Sequence, residues 1–147
     1  MLIRVQKEAF DFSAEVENFT QIQRGMGAIV TFSGIVRDTP DGDLKYMEIE
    51  HYPGMTQAAL TDFAQTALDR WSLGDALVIH RYGSLKPNDM IMMVATAARH
   101  RVAAFEAAEY LMDYLKSRAP FWKKEVKEDG AIWVEAKDHD ETALNRW

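Results

Sequence analysis

Two apolar runs separated by a turn-forming loop decide the fold of this chain: DALVIHRY at 75–82, SLKPND at 84–89 and MIMMVATAA at 90–98. The first and third segments have the length and the apolar content of strands, and the loop between them carries Pro, Asn and Asp. The third segment contains no charged residue, which is typical of a strand that is buried on both faces. We therefore predict a pair of neighbouring strands at the centre of the fold.

The residues after this strand pair indicate a helix and then a hairpin. The helix runs from about 101 to 116, and Pro120 ends it. Its predicted apolar face consists of Phe105, Ala108, Met112 and Leu115. The segments 121–126 and 131–136 have the composition of strands, and the KEDG turn at 127–130 joins them as a hairpin.

The residues before the strand pair show the same alternation of strands and helices. A short strand is predicted at 2–6, and a helix follows it. The strand GAIVTFSGIV at 27–36 contains Gly34, which indicates a bulge or a close approach of another backbone segment. We predict that this strand pairs with 44–52 as a hairpin, and that a second helix then extends to Trp71.

The predicted order of elements is β-α-β-β-α-β-β-α-β-β. Hairpins that alternate with about three helices indicate an α+β fold with a mainly antiparallel sheet. No linker, repeat or low-complexity tract interrupts the pattern, so we expect one domain over residues 1–147.

The composition excludes several classes of protein and site. Without cysteine, the chain has no disulfide, thiolate metal site or cysteine nucleophile. The four histidines lack the spacing of a helical metal site, and the common nucleotide-binding motifs are missing, so we expect neither a metal nor a cofactor. The net charge of −6 argues against nucleic acid as a partner. Because there is no membrane-length apolar run and no signal-peptide pattern, we expect a cytosolic protein with no membrane contact.

Positive charge is concentrated in one segment of this acidic chain. Between Arg99 and Lys127, seven Lys and Arg residues stand against four Asp and Glu residues. Such a segment suits a local anion site, and it suits a solvated face with ordinary ion pairs equally well.

Three positions in this segment could bind an anion. Arg99-His100-Arg101 stands at the start of the predicted helix, where backbone N–H groups favour anions and arginine matches phosphate oxygens. A capped helix with two surface arginines is the simpler interpretation. Lys116 lies in the last helical turn, where a lysine commonly compensates the helix dipole. Lys123 and Lys124 are neighbours on a predicted strand, so only one of them easily faces a given pocket.

Other polar residues have structural explanations that carry more weight. Arg37 closes a strand at a turn, where an arginine is usually solvated. His51 and Tyr52 precede Pro53-Gly54 and could line a cleft, but a structural role is favoured. His80 lies in or near a strand, and we favour a structural role for it too.

Five segments, read in order, resemble one protein family. They are TFSGIVR (31–37), EHYPGM (50–55), VIHRYGSL (78–85), the HR pair at 100–101 and FEAAEYLMDYLKSRAPFWKKE (105–125). The LK-x-RAPFWK core of the last segment is the most specific of them. Their order and spacing resemble the large, catalytic subunit of molybdopterin synthase, and the resemblance extends to the C-terminal RW.

The resemblance implies an enzyme of molybdenum cofactor biosynthesis. Its substrate would be cyclic pyranopterin monophosphate (precursor Z), which the family converts to molybdopterin by transferring two sulfurs. The sulfurs come from the thiocarboxylated C-terminal glycine of a small ubiquitin-like subunit, so the missing cysteine agrees with this role. The resemblance further implies a hammerhead-like fold and a homodimer of the large subunit within a heterotetramer.

The resemblance also implies which residues form the site. Lys116 and Lys123 would be catalytic, and the substrate-binding set would be Ile35, Val36, Arg37, His100, Arg101, Lys116, Lys123, Lys124 and Glu125. Arg37, His100 and Arg101 would stabilise the negative charge that grows as the cyclic phosphate opens. A lysine whose pKa is lowered by nearby cations would donate and accept protons, with Lys116 as the first candidate and Lys123 as the second.

Two other functions remain open on the residues alone. The chain could be a non-catalytic binding module whose basic patch holds the acidic or carboxylate tail of a partner. It could also be a stand-alone phosphoesterase that acts on a cyclic phosphate through His100. The missing metal site and the missing second catalytic histidine argue against the phosphoesterase.

Overall fold

The computed structural model of this chain describes residues 1–135 and 138–147. In chain order the elements are β1 Leu2–Gln6, α1 Phe12–Gln21, β2 Ala28–Ile35, β3 Tyr46–His51, α2 Met55–Trp71, β4 Asp75–Arg81, β5 Gly83–Leu85, β6 Met90–Ala98, α3 Arg101–Ser117, β7 Phe121–Lys127, β8 Gly130–Trp133 and α4 Asp138–Ala143, followed by a 3₁₀ turn at Leu144–Arg146. Eight strands and four helices in these residues confirm the predicted α+β class. The predicted strand at 131–136 ends beyond the described residues, because Ala136 lies outside them.

The first sheet contains the strand pair that decides the fold. Its strand order is β1-β4-β6-β2, and only the β1–β4 pair is parallel. Helix α1 covers one face of this sheet, and α2 and α3 cover the other. Because β4 and β6 are central and covered on both faces, they read as continuous apolar runs in the sequence.

The second sheet corrects one prediction. The segment 44–52 does not pair with 27–36 as a hairpin, since β2 pairs with β6 while β3 pairs with β5 and β7. The connection between β2 and β3 spans ten residues, which is far longer than a tight hairpin turn, and it carries the chain from one sheet to the other. The second sheet is fully antiparallel, with the order β5-β3-β7-β8, and its β7–β8 hairpin was predicted.

The apolar face of α3 differs from the predicted one. Phe105 is 60% exposed, so the predicted apolar face is not buried along its whole length. The buried face consists of Ala104, Ala107, Ala108, Tyr110, Leu111 and Leu115. Small alanine side chains let the helix lie close to the sheet, and the Thr96 hydroxyl of β6 donates a 2.7 Å hydrogen bond to the Ala104 carbonyl oxygen.

The C-terminal residues fold back onto α2 and α3. Trp147 packs edge-on against Trp71 and Tyr110, and its indole N–H donates a 2.6 Å hydrogen bond to Asp113. Arg146 forms ion pairs with Asp113 and Glu109. The helices in the described part of the chain are all too short or too polar to cross a bilayer.

Candidate active site

Lys116 and Lys123 face the same cleft although they belong to different elements. Lys116 lies in the last turn of α3, and Lys123 lies on β7. The residues between the helix and the strand turn the chain back, and Pro120 is where the helical conformation cannot continue. Both lysines line a cleft of about 940 Å³ and two smaller cavities that adjoin it.

The environment of Lys123 makes its amine unusual. Burial of the side chain and, to a smaller extent, the positive charge of Lys116 lower the pKa of Lys123 to about 8, while Asp140 opposes the shift. A lysine with this pKa exists in both protonation states near neutral pH, so it can donate and accept protons there.

The large cleft extends from the lysines to the end of β2. Ile35, Arg37 and Glu125 line it together with Lys116 and Lys123. The wall of this cleft therefore contains three cationic side chains and two carboxylates, those of Asp38 and Glu125. Such a surface suits a ligand with concentrated negative charge, and arginine in particular matches phosphate oxygens in pairs.

Val36 and Lys124 lie apart from this cleft. Val36 is fully buried, and its backbone is held in place because its N–H donates to Asp89 and its carbonyl accepts from Asn88. Successive residues of a strand point to opposite faces, so Lys124 leaves the cleft while its neighbours on β7 face it. Its amine lies 4.9 Å from the centre of the Trp133 ring on the outer face of the second sheet.

His100 and Arg101 stand at the other end of α3. Both residues are exposed, and the His100 side chain does not cap the helix. The helix is 17 residues long, and its rise places Arg101 about 22 Å from Lys116 along the axis. One copy of the chain therefore does not bring the HR pair and the two lysines into one site.

His80 belongs to the wall of the lysine cavities, although sequence reasoning favoured a structural role. It is 4% exposed on β4 and lines both smaller cavities together with Lys116 and Lys123. Its ring stacks on Phe121 at a centroid distance of 3.7 Å. The VIHRYGSL segment contained this histidine, but strand periodicity alone does not show which cavity a buried residue faces.

His51 lies in a different region from the lysine cavities. It lines a separate open pocket beside Lys7 and Tyr82, and its Nδ1 is 3.3 Å from the Thr56 hydroxyl. Among the residues that the structure describes, no three His, Asp or Glu side chains are grouped as metal ligands.

Comparisons with known proteins agree on one family. The model of the "MoaE protein" family matches residues 5–118. The molybdopterin synthase catalytic subunit of Cereibacter sphaeroides is 62% identical over 147 residues, with full coverage of both chains. The corresponding subunit of Brucella melitensis is 50% identical, covering 99% of this chain and 90% of the relative.

Solved structures give the same result. The "Molybdopterin biosynthesis MoaE protein" from Burkholderia ambifaria superimposes with a TM-score of 0.85 at 48% identity, covering 99% of this chain and 97% of that one. The molybdopterin synthase structure from Staphylococcus aureus gives a TM-score of 0.79 at 29% identity, with coverage of 90% and 96%. The family model covers most of the chain and the relatives cover all of it, so the chain belongs to the MoaE family, the catalytic subunits of molybdopterin synthase.

Proposed function

We propose that this chain acts as a sulfurtransferase whose reaction takes place between Lys116 and Lys123. The substrate is cyclic pyranopterin monophosphate, and the product is molybdopterin, formed by the transfer of two sulfurs. The observation that carries the proposal is the meeting of both lysines with Arg37 in one cleft. The names of the relatives support the reaction at the level of the subunit.

Lys123 is the better candidate for proton transfer. Sulfur transfer forms a bond between the thiocarboxylate sulfur and an electrophilic carbon as the carbon–oxygen bond breaks, and the oxygen that leaves takes up a proton. Water then cleaves the bond between the sulfur and the acyl carbon, which returns the tail of the small subunit as a carboxylate. The pKa of Lys123, lowered to about 8 by burial, suits a group that gives up a proton near neutrality. Resemblance alone had placed Lys116 first. In this proposal Lys116 orients the carboxylate end of the incoming tail by its charge.

Arg37 is proposed to bind the phosphate of the pterin. It lies at the end of the large cleft that follows β2, on the same wall as Ile35. A guanidinium there stabilises the negative charge that increases when the cyclic phosphate opens. The open shape of the cleft leaves room for the flat pterin ring between Arg37 and the lysines.

The sulfur donor is proposed to be the thiocarboxylated tail of a small ubiquitin-like subunit. The chain has no cysteine that could carry the sulfur. A chain in the complex of subunits 1 and 2 of the molybdopterin-converting factor of Helicobacter pylori has the same fold, with a TM-score of 0.79. Both smaller cavities are lined by Lys116 and Lys123, whose positive charges suit the anionic terminal group of an extended tail.

His100 and Arg101 are proposed to act in the site of a second copy. The apolar side chains of Val102, Phe105 and Phe32 are exposed along α3 and the free edge of β2. A two-fold axis near the middle of α3 would cover this face and would place the HR pair of one copy near Lys116 of the other. In this proposal the homodimer completes two sites, and a small subunit at each end forms the heterotetramer.

A non-catalytic binding module is the second candidate, since cationic side chains would also hold a carboxylate tail. The Lys116→Ala variant separates the two. It is mixed with cyclic pyranopterin monophosphate and the thiocarboxylated small subunit, and dithiolene product and subunit binding are both measured. The enzyme predicts that product is lost while binding is retained. Lys45→Ala is the control, because this lysine is exposed on the second sheet and pairs only weakly with Glu128, at 3.8 Å.

A wild-type chain that binds the small subunit but forms no product would favour a binding module. A Lys116→Ala variant that forms product as fast as wild type would place the reaction away from Lys116. Opening of the cyclic phosphate in the absence of any small subunit would instead support the phosphoesterase. His100 makes this third function unattractive, because it stands at an exposed helix start, about 24 Å from Lys116 along the helix axis.

A further inference from the structure

The C-terminal segment, residues 138–147, is fixed to the end of α3 by side-chain contacts at both of its ends. A guanidinium nitrogen of Arg118, which follows α3, donates to both carboxylate oxygens of Glu141 in α4, at 2.8 and 3.0 Å. The indole N–H of Trp147 donates to Asp113 of α3 at 2.6 Å. A helix of six residues is not stable by itself, so these contacts set the position of α4.

This position of α4 brings Asp140 to the two lysines of the site. Asp140 lines the smaller cavity of about 140 Å³ together with Lys116 and Lys123. Its side chain is 21% exposed, whereas that of the next residue, Glu141, is 44% exposed and paired with Arg118. The end of the chain therefore contributes a largely buried carboxylate to a cavity whose lysines belong to α3 and β7.

The charge of Asp140 acts on the lysines more strongly than that of the other acid in this cavity. Among the described residues that line it, the second carboxylate belongs to Glu135, which follows β8 and is exposed to solvent. Water and salt screen an exposed charge, while a charge with little access to water is screened much less. In agreement with this difference, the negative charge of Asp140 raises the pKa of Lys123 and so opposes the effects of burial and of Lys116.

We infer that Asp140 is a positioning residue of the site, which the C-terminal segment places beside the lysines as the resident counter-charge of Lys123. This inference rests on the proposed role of Lys123 in proton transfer. A carboxylate at this place attracts the amine into the cavity and favours its protonated form. Asp140 thereby keeps Lys123 supplied with the proton that the leaving oxygen takes up, and it acts through this lysine.

The test is the titration of Lys123 by NMR in the full-length protein with lysine labelled at Cε, where the signal is assigned by its loss in Lys123→Met. Asp140→Asn keeps the size of the side chain and removes its charge. We expect the pKa of Lys123 to fall by about half a unit, because the charged amine loses an attractive partner. Asp140→Glu returns the charge on a longer side chain and is expected to restore most of the pKa.

A second variant tests whether the C-terminal segment delivers this charge. Trp147→Ala removes the contact with Asp113 and leaves Asp140 in the chain. We expect the pKa of Lys123 to fall as it does in Asp140→Asn, because α4 is no longer held over the cavity. Since both changes remove the same interaction, Asp140→Asn combined with Trp147→Ala should shift the pKa no further than Asp140→Asn alone.

The matched control is Glu128→Gln, which also removes one negative charge. This side chain is 88% exposed in the turn between β7 and β8, so the change is expected to leave the pKa of Lys123 in place. The other charged and titratable groups around the lysines and Asp140 are left intact in every variant. They are Lys116 of α3, Glu125 of β7, Glu135 after β8, Arg37 and Asp38 after β2, His80 of β4 and His139 of α4.

The titration needs no substrate, so its result stands whether or not the chain transfers sulfur. A Lys123 pKa that is equal in wild type and Asp140→Asn would overturn the inference, and so would an equal fall in Asp140→Glu. A folded Trp147→Ala variant with the pKa of wild type would overturn the role of the C-terminal segment. If Trp147→Ala does not fold, the two Asp140 variants decide. Turnover measured against pH gives the link to the reaction, with an alkaline limb that moves to lower pH in Asp140→Asn but not in Glu128→Gln.

Discussion

At the scale of single residues, two adjacent lysines of β7 differ in the face of the sheet on which they lie. Lys123 faces the cleft and Lys124 lies over Trp133 on the opposite face of the sheet. Strand periodicity predicted that they point apart, but it could not say which one faces the site. The family resemblance placed both lysines in the substrate-binding set. The pairing of β7 with β3 in the structure fixes which of the two faces the cleft.

The first prediction compares these two lysines in turnover. Lys123→Ala is expected to lower the rate of product formation by a factor of about 100 or more, the usual contribution of a general acid. Lys124→Ala is expected to lose far less, because its amine does not line the described cleft. A steady-state assay of dithiolene product measures both. Equal losses in the two variants would show that the face of the strand does not matter.

The second prediction concerns stability and pH. Because the pKa of Lys123 is about 8 in the folded protein and 10.5 in the unfolded chain, the unfolded chain binds more protons between these values. The free energy of unfolding therefore rises with pH through this window, and it is lowest below pH 8. Lys123→Met removes the buried charge, so we expect it to raise the free energy of unfolding at pH 7 by about 1–3 kcal/mol.

Urea unfolding at pH 7 and at pH 10.5 checks this expectation. The gain of Lys123→Met should shrink toward pH 10.5, where the lysine is neutral in the folded protein and about half of it is neutral in the unfolded chain. Lys124→Met serves as the control, since its amine lies on the outer face. A Lys123→Met variant that is less stable than wild type at pH 7 would mean that the charge is well compensated in the fold.

At the scale of elements, the sequence predicts which segments are helices and strands better than which strands pair. The central strands, α3 and the β7–β8 hairpin follow from composition, periodicity and turn residues. The strand that pairs with β2 could not be predicted in this way, because an amphipathic strand next to a ten-residue connection can pair in either sheet. The bulge predicted from Gly34 is confirmed, since the register of β2 and β6 shifts between Gly34 and Ile35.

The third prediction compares two glycines of the β2 region: Gly27, which precedes the strand, and Gly34, which lies near its end. A Cβ at Gly27 would lie 2.9 Å from the backbone oxygen of Arg99, and neither backbone segment can move without disturbing the start of α3. We expect Gly27→Ala to lower the free energy of unfolding by about 1–3 kcal/mol. A Cβ at Gly34 would meet the flexible Met92 side chain at an ordinary 3.5 Å, so Gly34→Ala is the matched control. Equal unfolding midpoints in urea for both variants would contradict the predicted clash.

At the scale of the whole molecule, the separation of the HR pair from the lysines is the main reason to expect two copies. The candidate residues came from resemblance as a single set, yet one chain divides them between the two ends of α3. Periodicity could not reveal this, because it assigns residues to faces of an element and does not show which residues a second chain contributes. Phe105, which was predicted on the apolar face of α3, is exposed there beside Val102.

The fourth prediction tests this arrangement by mixing two inactive variants. If sites are shared between copies, a heterodimer of Lys116→Ala and Arg101→Ala contains one site with both residues intact. Random exchange in an equal mixture gives half heterodimers, so about a quarter of the wild-type activity should return. Activity that stays at the level of the separate variants after exchange, which native mass spectrometry would verify, would place both residues in one chain.

Mass spectrometry of both reactants tests whether this chain moves sulfur from the small subunit to the pterin. The chain is mixed with cyclic pyranopterin monophosphate and the thiocarboxylated small subunit, and the masses of the pterin and of the subunit are followed in time. The account predicts that the pterin gains two sulfurs while two small subunits each return to the carboxylate, and that Lys123→Ala stops both changes. A small subunit that binds but keeps its sulfur, beside unchanged pterin, would contradict it.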